Sequence, residues 1–142
     1  MIKVLIIDNN ESVREDLRIS LKSDGYEVFT AGEGNEGFAI FAEENPAIVF
    51  VDISTPEMDG IEVLRRVKER NPEVQIIVTS AGDDFNLVIQ ALQYEVADYV
   101  CKPVDNEALA AALSRTKERL WKSNKLRGYI ENLEGLIRDT TE

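Results

Sequence analysis

Residues 47–52 are Ala-Ile-Val-Phe-Val-Asp, an unbroken apolar run that ends in an acid. A strand with water on one face alternates apolar and polar side chains, whereas a strand covered on both faces does not. The run therefore predicts a buried strand over residues 47–51, in a sheet with helices on both faces.

Four further β-rich runs share the chain with segments of helical periodicity. These runs span residues 3–7, 26–30, 75–79 and 97–101. Between them, apolar residues recur at helical spacing, as in Val13, Leu17 and Leu21, in Ile61, Leu64 and Val67, and in Val88 and Leu92. Helix ends are predicted by Gly25, Pro46 and Pro72, and a capping box by Asp59-Gly-Ile-Glu62. The pattern indicates strand–helix repeats.

Five such repeats predict an α/β fold with a doubly wound, five-stranded parallel sheet of order 2-1-3-4-5, the flavodoxin-like arrangement. Sheets of this kind place their site outside the carboxyl ends of the strands that flank the switch point. The residues that end or follow the first, third, fourth and fifth runs are Asp8, Asp52, Thr79 and Lys102. Topology alone therefore predicts that two acids, a hydroxyl and an amine share one crevice.

Composition narrows the possible functions of the 142 residues. Hydrophobic residues make up 44% and charged residues 30%, values typical of one globular domain. A net charge of -11 argues against nucleic-acid binding by this chain alone. The lone cysteine and the lack of a secretory signal predict a cytoplasmic protein. No apolar run approaches the length that a membrane span requires, so none is predicted. With no histidine, any catalysis must use carboxylates, hydroxyls and lysine.

The acids at the strand ends suggest a specific chemistry. Two close carboxylates need a positive partner, and carboxylate oxygens with room for water suit Mg²⁺. With Mg²⁺ bound, one carboxylate can attack phosphorus while Lys102 and the metal balance the charge of the phosphoryl oxygens. We therefore expect formation of an aspartyl phosphate.

Four motifs resemble those of the receiver domains of two-component response regulators, the CheY-like superfamily. The resemblance covers about residues 1–121. The motifs are Ile6-Ile7-Asp8, Val51-Asp52-Ile-Ser-Thr-Pro56-Glu-Met-Asp59-Gly60, Thr79-Ser80-Ala81 and Ala97-Asp98-Tyr99-Val-Cys-Lys102-Pro103. Four separated motifs in the right order are far more specific than any one of them.

The resemblance implies a role for each matching residue. Asp52 is the expected phospho-acceptor, with a histidine kinase, a phosphotransfer protein or a small phosphodonor as the source of the phosphoryl group. Mg²⁺ would be held by Asp8, Asn9, Asp52 and the backbone carbonyl of Ser54. Thr79 and Tyr99 would form the switch, Lys102 would pair with the phosphoryl group, and Lys102-Pro103 would be a cis peptide. Ser54 and Ala81 would tune dephosphorylation.

Two positions depart from the family pattern. Asn9 stands where the family has a second acid that ligates the metal, so we expect weaker Mg²⁺ binding or slower phosphorylation. Thr55 replaces a larger apolar residue, which should affect the packing of its loop. Simpler roles also exist for single residues: Asp8, Asn9 or Asn10 as a helix cap, Asp59 as a cap, and Cys101 as a small core residue.

The last helical segment is longer than the fold requires. Leu109, Leu113, Thr116 and Leu120 form one seam, and a second seam in a shifted register follows, with Leu126, Ile130, Leu133 and Ile137. We divide the chain into a receiver domain at 1–121 and a helical extension at 122–142. The extension is either a frayed linker or a parallel coiled coil that joins two copies or leads to an output domain. A homodimer through the fifth helix and this tail is the expected assembly.

Three other functions compete with a phosphorylated switch. A pseudo-receiver, which would bind proteins without being phosphorylated, is supported by Asn9 alone. A flavodoxin-like redox protein would need a glycine- and hydroxyl-rich phosphate cradle after the first strand, where this chain has acids. A phosphatase with an aspartyl intermediate would need an acid where Ser54 stands.

Overall fold

Strands and helices alternate along the part of the chain that the structure describes. The computed structural model describes residues 1–54, 59–81 and 85–140, with side chains as far as residue 136. The strands are β1 (Lys3–Ile7), β2 (Glu27–Ala31), β3 (Ile48–Asp52), β4 (Gln75–Ser80) and β5 (Asp98–Cys101). The helices are α1 (Glu11–Ser23), α2 (Gly34–Glu44), α3 (Gly60–Arg70), α4 (Phe85–Leu92) and α5 (Asn106–Thr140).

The five strands form one parallel sheet in the order β2-β1-β3-β4-β5, which confirms the predicted fold. The unbroken apolar strand β3 lies at its centre and is buried at all five positions. In the register of β3 and β4, Asp52 lies beside Thr79. The polar residues at the carboxyl ends of the central strands are therefore neighbours.

Alternation along the strands sends apolar side chains into two layers. One layer includes Leu5, Val49 and Val78 and lies under α2, α3 and α4. The other includes Ile6, Phe50 and Ile77 and lies under α1 and α5. The continuous apolar runs in the sequence are explained by this burial on both faces.

Helix ends follow the predicted signals in part. The Asp59 carboxylate caps α3 by accepting from the backbone N–H of Glu62 at 3.1 Å. The Glu62 carboxylate instead pairs with Arg65, so we find a simple cap rather than the predicted capping box. At α1 the cap is the side chain of Asn10, which accepts from the backbone N–H of Val13.

One prediction of burial was wrong, that of Cys101, and one apolar position of α4 faces solvent. Leu92 in α4 is 57% exposed, and the neighbouring Ala91 faces the core. Cys101 is exposed because it ends β5, which is an edge strand of the sheet. Thr55 and Pro56, whose loop packing and motif role were predicted from sequence, lie outside the described residues.

Helix α5 continues past the body of the fold without a break. The first predicted seam packs on the sheet, because Leu109, Leu113 and Thr116 are buried there. The second seam is exposed at Leu126, Ile130 and Leu133, and the side chain of Ile137 is outside the described set. The predicted division at residue 121 thus falls inside one helix.

Candidate functional site

The carboxyl ends of β1, β3, β4 and β5 bring the predicted site residues together. Asp8 follows β1, Asp52 ends β3, Thr79 lies next to the end of β4, and Lys102 follows β5. Asp8, Asp52 and Thr79 are each only 2% exposed. Burying two acids is costly unless a cation accompanies them, so the position of the lysine is decisive.

Lys102 bridges the two acids. Its Nζ lies 2.7 Å from Asp8 Oδ2 and 2.9 Å from Asp52 Oδ2, and its side chain is 18% exposed. Burial by itself would lower the pKa of the Lys102 ammonium, but its hydrogen bonds and charge interactions with Asp8 and Asp52 outweigh burial and leave the pKa raised. The amine is therefore fully protonated at neutral pH.

The second carboxylate oxygen of Asp52 is held by Ser54. The Ser54 backbone N–H donates to Asp52 Oδ1 at 2.9 Å, and the Ser54 hydroxyl donates to the same oxygen at 2.6 Å. Each Asp52 oxygen thus has its own partner, Oδ1 with Ser54 and Oδ2 with Lys102. The carboxylate is fixed in orientation by short contacts, one set from nearby Ser54 and one from distant Lys102.

Asp8 is held from the side of α1. Its Oδ1 accepts from the Asn10 backbone N–H at 2.9 Å, and its backbone carbonyl accepts from Arg14 Nη1 at 2.7 Å. Asn9, beside it, is exposed. Asp8 therefore has one carboxylate oxygen toward Asn10 and the other toward Lys102.

The oxygens at these strand ends match the chemistry of a hard divalent cation. The carboxylates of Asp8 and Asp52, the amide oxygen of Asn9 and the backbone carbonyl of Ser54 are all oxygen donors, the class that Mg²⁺ prefers. In the described ranges no cluster of three or more His, Cys, Asp or Glu side chains is placed to hold a metal ion. A metal here would depend on two carboxylates and neutral oxygens.

Gly60 packs the start of α3 directly against the strand end that carries Asp52. A Cβ at this position would lie 2.8 Å from Ile53 Cα and 2.9 Å from the Asp52 carbonyl oxygen. Both are backbone atoms, which cannot rotate away as the end of a flexible side chain can. The absence of a side chain at Gly60 is thus part of what positions Asp52.

Tyr99 makes a contact that sequence reasoning missed. Its hydroxyl lies 2.9 Å from Ser80 Oγ, and Ser80 is fully buried. Ser80 is part of the motif Thr79-Ser80-Ala81, but the sequence alone predicted no role for it. The sequence does hold one signal for Ser80: it follows Thr79 directly at a strand end. Because side chains alternate along a strand, Ser80 must then point to the face opposite that of Thr79.

The two positions expected to tune dephosphorylation differ in their surroundings. Ser54 contacts Asp52 directly, whereas Ala81 is exposed. Ala81 and Lys102 also line a cleft of about 420 Å³ between α1 and the start of α5. The bond between Lys102 and Pro103, at the edge of this cleft, is cis.

A family model and two curated relatives match this chain over most of its length. The family model described as "Response regulator receiver domain" matches residues 4–114. The transcriptional regulatory protein AfsQ1 of Streptomyces coelicolor is 32% identical over 119 residues, or 84% of this chain and 52% of AfsQ1. Response regulator MprA of Mycolicibacterium vanbaalenii is 33% identical over 112 residues, or 79% of this chain and 48% of MprA. The chain thus spans about half the length of these curated relatives.

Solved structures agree with this match. A response regulator receiver domain protein from Clostridium thermocellum superposes with a TM-score of 0.79 at 27% identity, covering 89% of this chain and 99% of that one. Within the described ranges, no helix is both long enough and apolar enough to cross a membrane.

Proposed function

Because the chain belongs to the response regulator receiver domains, we propose that it accepts a phosphoryl group on Asp52 and thereby switches an output. The observation that carries the proposal is the pair of contacts from Lys102 Nζ to Asp8 and Asp52, at 2.7 and 2.9 Å. The donor is a separate molecule, since this chain has no histidine of its own. It is a phosphohistidine on a histidine kinase or a phosphotransfer protein, or a small phosphodonor in its place. A cytoplasmic setting fits the lone cysteine.

In the transfer step, a carboxylate oxygen of Asp52 forms a bond to phosphorus. The bond from phosphorus to the donor nitrogen breaks, and its electron pair stays with the departing imidazole. Lys102, already fixed between the acids, offsets negative charge on the phosphoryl oxygens. Asp8, Asn9, Asp52 and the carbonyl of Ser54 would hold Mg²⁺, which would supply further charge neutralisation when bound. The chain catalyses only its own transfer and, later, its own dephosphorylation.

Asn9 changes the charge of the site rather than abolishing its chemistry. Asp8 carries one negative charge and a phosphorylated Asp52 about two, while Lys102 and Mg²⁺ together carry three positive charges. These charges sum to about zero. An acid at position 9 would leave the phosphorylated site with a net negative charge. Asn9 therefore lowers the affinity for Mg²⁺ before transfer but leaves the phosphorylated site close to neutral.

Phosphorylation would be transmitted through Thr79 and Tyr99. The Thr79 hydroxyl turns toward the phosphoryl group, Tyr99 follows it, and the face formed by α4, β5 and α5 changes shape. Ser54 and Ala81 control the access of water to the phosphoryl group and hence its lifetime. The position of the Ser54 hydroxyl, 2.6 Å from Asp52 Oδ1, supports this role.

The tail of α5 is the proposed dimer contact. Leu126, Ile130 and Leu133 recur at spacings of four and three residues and are 59%, 45% and 42% exposed. A pair of parallel helices would bury this stripe, and isoleucine and leucine in this alternation favour two strands. Apart from their own helix backbone, no atom of the described residues lies within 4 Å of a prospective Cβ at Gly128 or Gly135, so both fit the outer side of such a pair. The dimer would pass the signal to an output domain.

Intact-mass measurement after incubation with Mg²⁺ and acetyl phosphate tests the phosphorylation. The wild type should gain the mass of one phosphoryl group, and Asp52→Asn should gain none. Asp59→Asn is the matched control, because Asp59 is exposed and asparagine also caps helices. A wild type that stays unmodified under conditions that label another receiver domain would favour the pseudo-receiver alternative.

Light scattering tests the dimer separately. The full chain should have the mass of two copies, Ile130→Asp the mass of one, and Asn132→Asp, off the stripe, again that of two. A monomeric wild type, both with and without a phosphoryl mimic, would refute dimerisation through the tail.

A further inference from the structure

Ser80 and Tyr99 form a part-buried hydroxyl pair behind the site. Ser80 is the last residue of β4 and is 0% exposed, and its Oγ lies 2.9 Å from the Tyr99 hydroxyl. A hydroxyl removed from water needs a hydrogen-bond partner, and the half-buried Tyr99 hydroxyl is one partner of the buried Ser80 hydroxyl. The ring of Tyr99 packs against the apolar layer under α2, α3 and α4.

Strand register explains why this contact involves position 80. Tyr99 on β5 pairs with Val78 on β4, so Tyr99, Val78 and Ser80 share one face of the sheet. Alternation sends Thr79 to the other face, which carries Val100. The hydroxyl within reach of the Tyr99 ring edge is therefore the one on Ser80.

Hydrogen bonds around this pair connect the ends of β4 and β5 with α5. The Ser80 carbonyl accepts from the Lys102 backbone N–H at 2.8 Å. The Tyr99 N–H donates to Asp98 Oδ1 at 2.8 Å, and Asp98 Oδ2 accepts from Arg115 Nε at 2.5 Å. Since Arg115 lies on α5, one line of hydrogen bonds runs from the end of β4 to the proposed output helix.

We propose that Ser80 is a positioning residue that holds the Tyr99 ring inward and thereby sets the shape of the face formed by α4, β5 and α5. The orientation of the aromatic switch then depends on the hydroxyl at position 80 as well as on Thr79. This inference rests on the proposed function for its link to signalling. The orientation itself is a property of the chain before any phosphoryl transfer.

Nuclear magnetic resonance of the full chain, labelled with ring-carbon-13 tyrosine, tests the orientation. The chain has four tyrosines, and Tyr99→Phe identifies the signal of interest. A soluble gadolinium agent should broaden the Tyr99 signal much less than that of Tyr129, which is 62% exposed. In Ser80→Ala, loss of the hydrogen bond should raise the ratio of outward to inward ring by about 2- to 10-fold. Ser80→Thr, which keeps the hydroxyl, should restore the protection.

A urea-unfolding cycle gives a second measure. Ser80→Ala and Tyr99→Phe remove the same contact, so the double variant should unfold at a midpoint close to that of the weaker single variant. Additive shifts in midpoint would contradict the pairing.

Two spectroscopic outcomes would overturn the proposal. The first is a wild type in which the agent broadens the Tyr99 signal as strongly as the Tyr129 signal. The second is equal broadening of the Tyr99 signal in Ser80→Ala and Ser80→Thr. Phosphorylation of Asp52 is scored on the same samples by intact mass. A chain that keeps Tyr99 protected but gains no phosphoryl group would refute the proposed function while leaving the role of Ser80 intact.

Discussion

Replacing Gly60 with alanine tests whether the start of α3 positions Asp52. The added Cβ would lie 2.8 Å from Ile53 Cα and 2.9 Å from the Asp52 carbonyl oxygen, closer than carbon atoms of this kind approach. Either α3 or the end of β3 must move by several tenths of an ångström. Overpacking of this kind costs about 1–3 kcal/mol of unfolding free energy. Alanine is also the better helix former, which offsets at most about 1 kcal/mol.

Urea unfolding and intact mass after acetyl phosphate treatment measure the two consequences. We expect Gly60→Ala to lower the unfolding free energy by about 1–2 kcal/mol. Phosphorylation should slow as well, because the displaced segment carries Asp52. Gly128→Ala is the matched control. In the part of the chain that the structure describes, nothing outside its own helix backbone lies within 4 Å of its prospective Cβ, so the same substitution should leave stability unchanged or raise it.

Equal stability of Gly60→Ala and the wild type, with equal rates of phosphorylation, would refute this reasoning. It would mean that α3 can withdraw from the end of β3 without cost. A loss of stability with unchanged phosphorylation would show that the strain is taken up by α3 and not by Asp52.

For three further substitutions, a single residue contact determines whether stability or Mg²⁺ binding should rise or fall. Tyr26→Phe removes a buried hydroxyl that has no hydrogen-bond partner among the described residues, so thermal unfolding should show a gain of about 1 kcal/mol. Asn9→Asp should tighten Mg²⁺ binding on the order of tenfold by calorimetry, because it adds a charged ligand; unchanged affinity would remove Asn9 from the metal site. Lys102→Met should leave two buried acids without their cation, so Mg²⁺ should raise its melting temperature more than that of the wild type, and equal increments would contradict this.

The sheet could be predicted because its strands are buried on both faces. β1, β3 and β4 contain apolar runs that polar residues do not interrupt, residues 4–7, 48–51 and 76–78, so these runs stand out in the sequence. Edge positions lack this signal. Cys101, at the end of edge strand β5, was expected in the core and is exposed, because neighbouring elements rather than local sequence decide burial there.

Helix α4 shows the limit of periodicity in a short element. In its eight residues, Phe85, Ile89 and Leu92 are at helical spacing and are all exposed, while the core side is reached by Ala91. Two apolar stripes fit the sequence almost equally well. Only packing against α3 and the sheet selects between them.

The candidate site was predictable to the extent that topology places strand ends together. Asp8, Asp52, Thr79 and Lys102 all lie at the carboxyl ends of β1, β3, β4 and β5. What the sequence left open is which atoms meet. The contact between Ser80 and Tyr99 depends on register and on the reach of the ring, neither of which the spacing of residues along the chain specifies.

Among the described residues, Ser54 and Lys102 connect Asp52 to a local and to a distant part of the chain. Ser54, two residues away, orients Oδ1 through contacts within the segment that directly follows β3. Lys102, fifty residues away, reaches Oδ2 only when β5 has joined the sheet. The same lysine follows Tyr99 by three residues and is bonded through its backbone to Ser80. A displacement of β5 therefore changes the charge beside Asp52 and the position of Tyr99 together, which is the coupling that a phosphorylation switch requires.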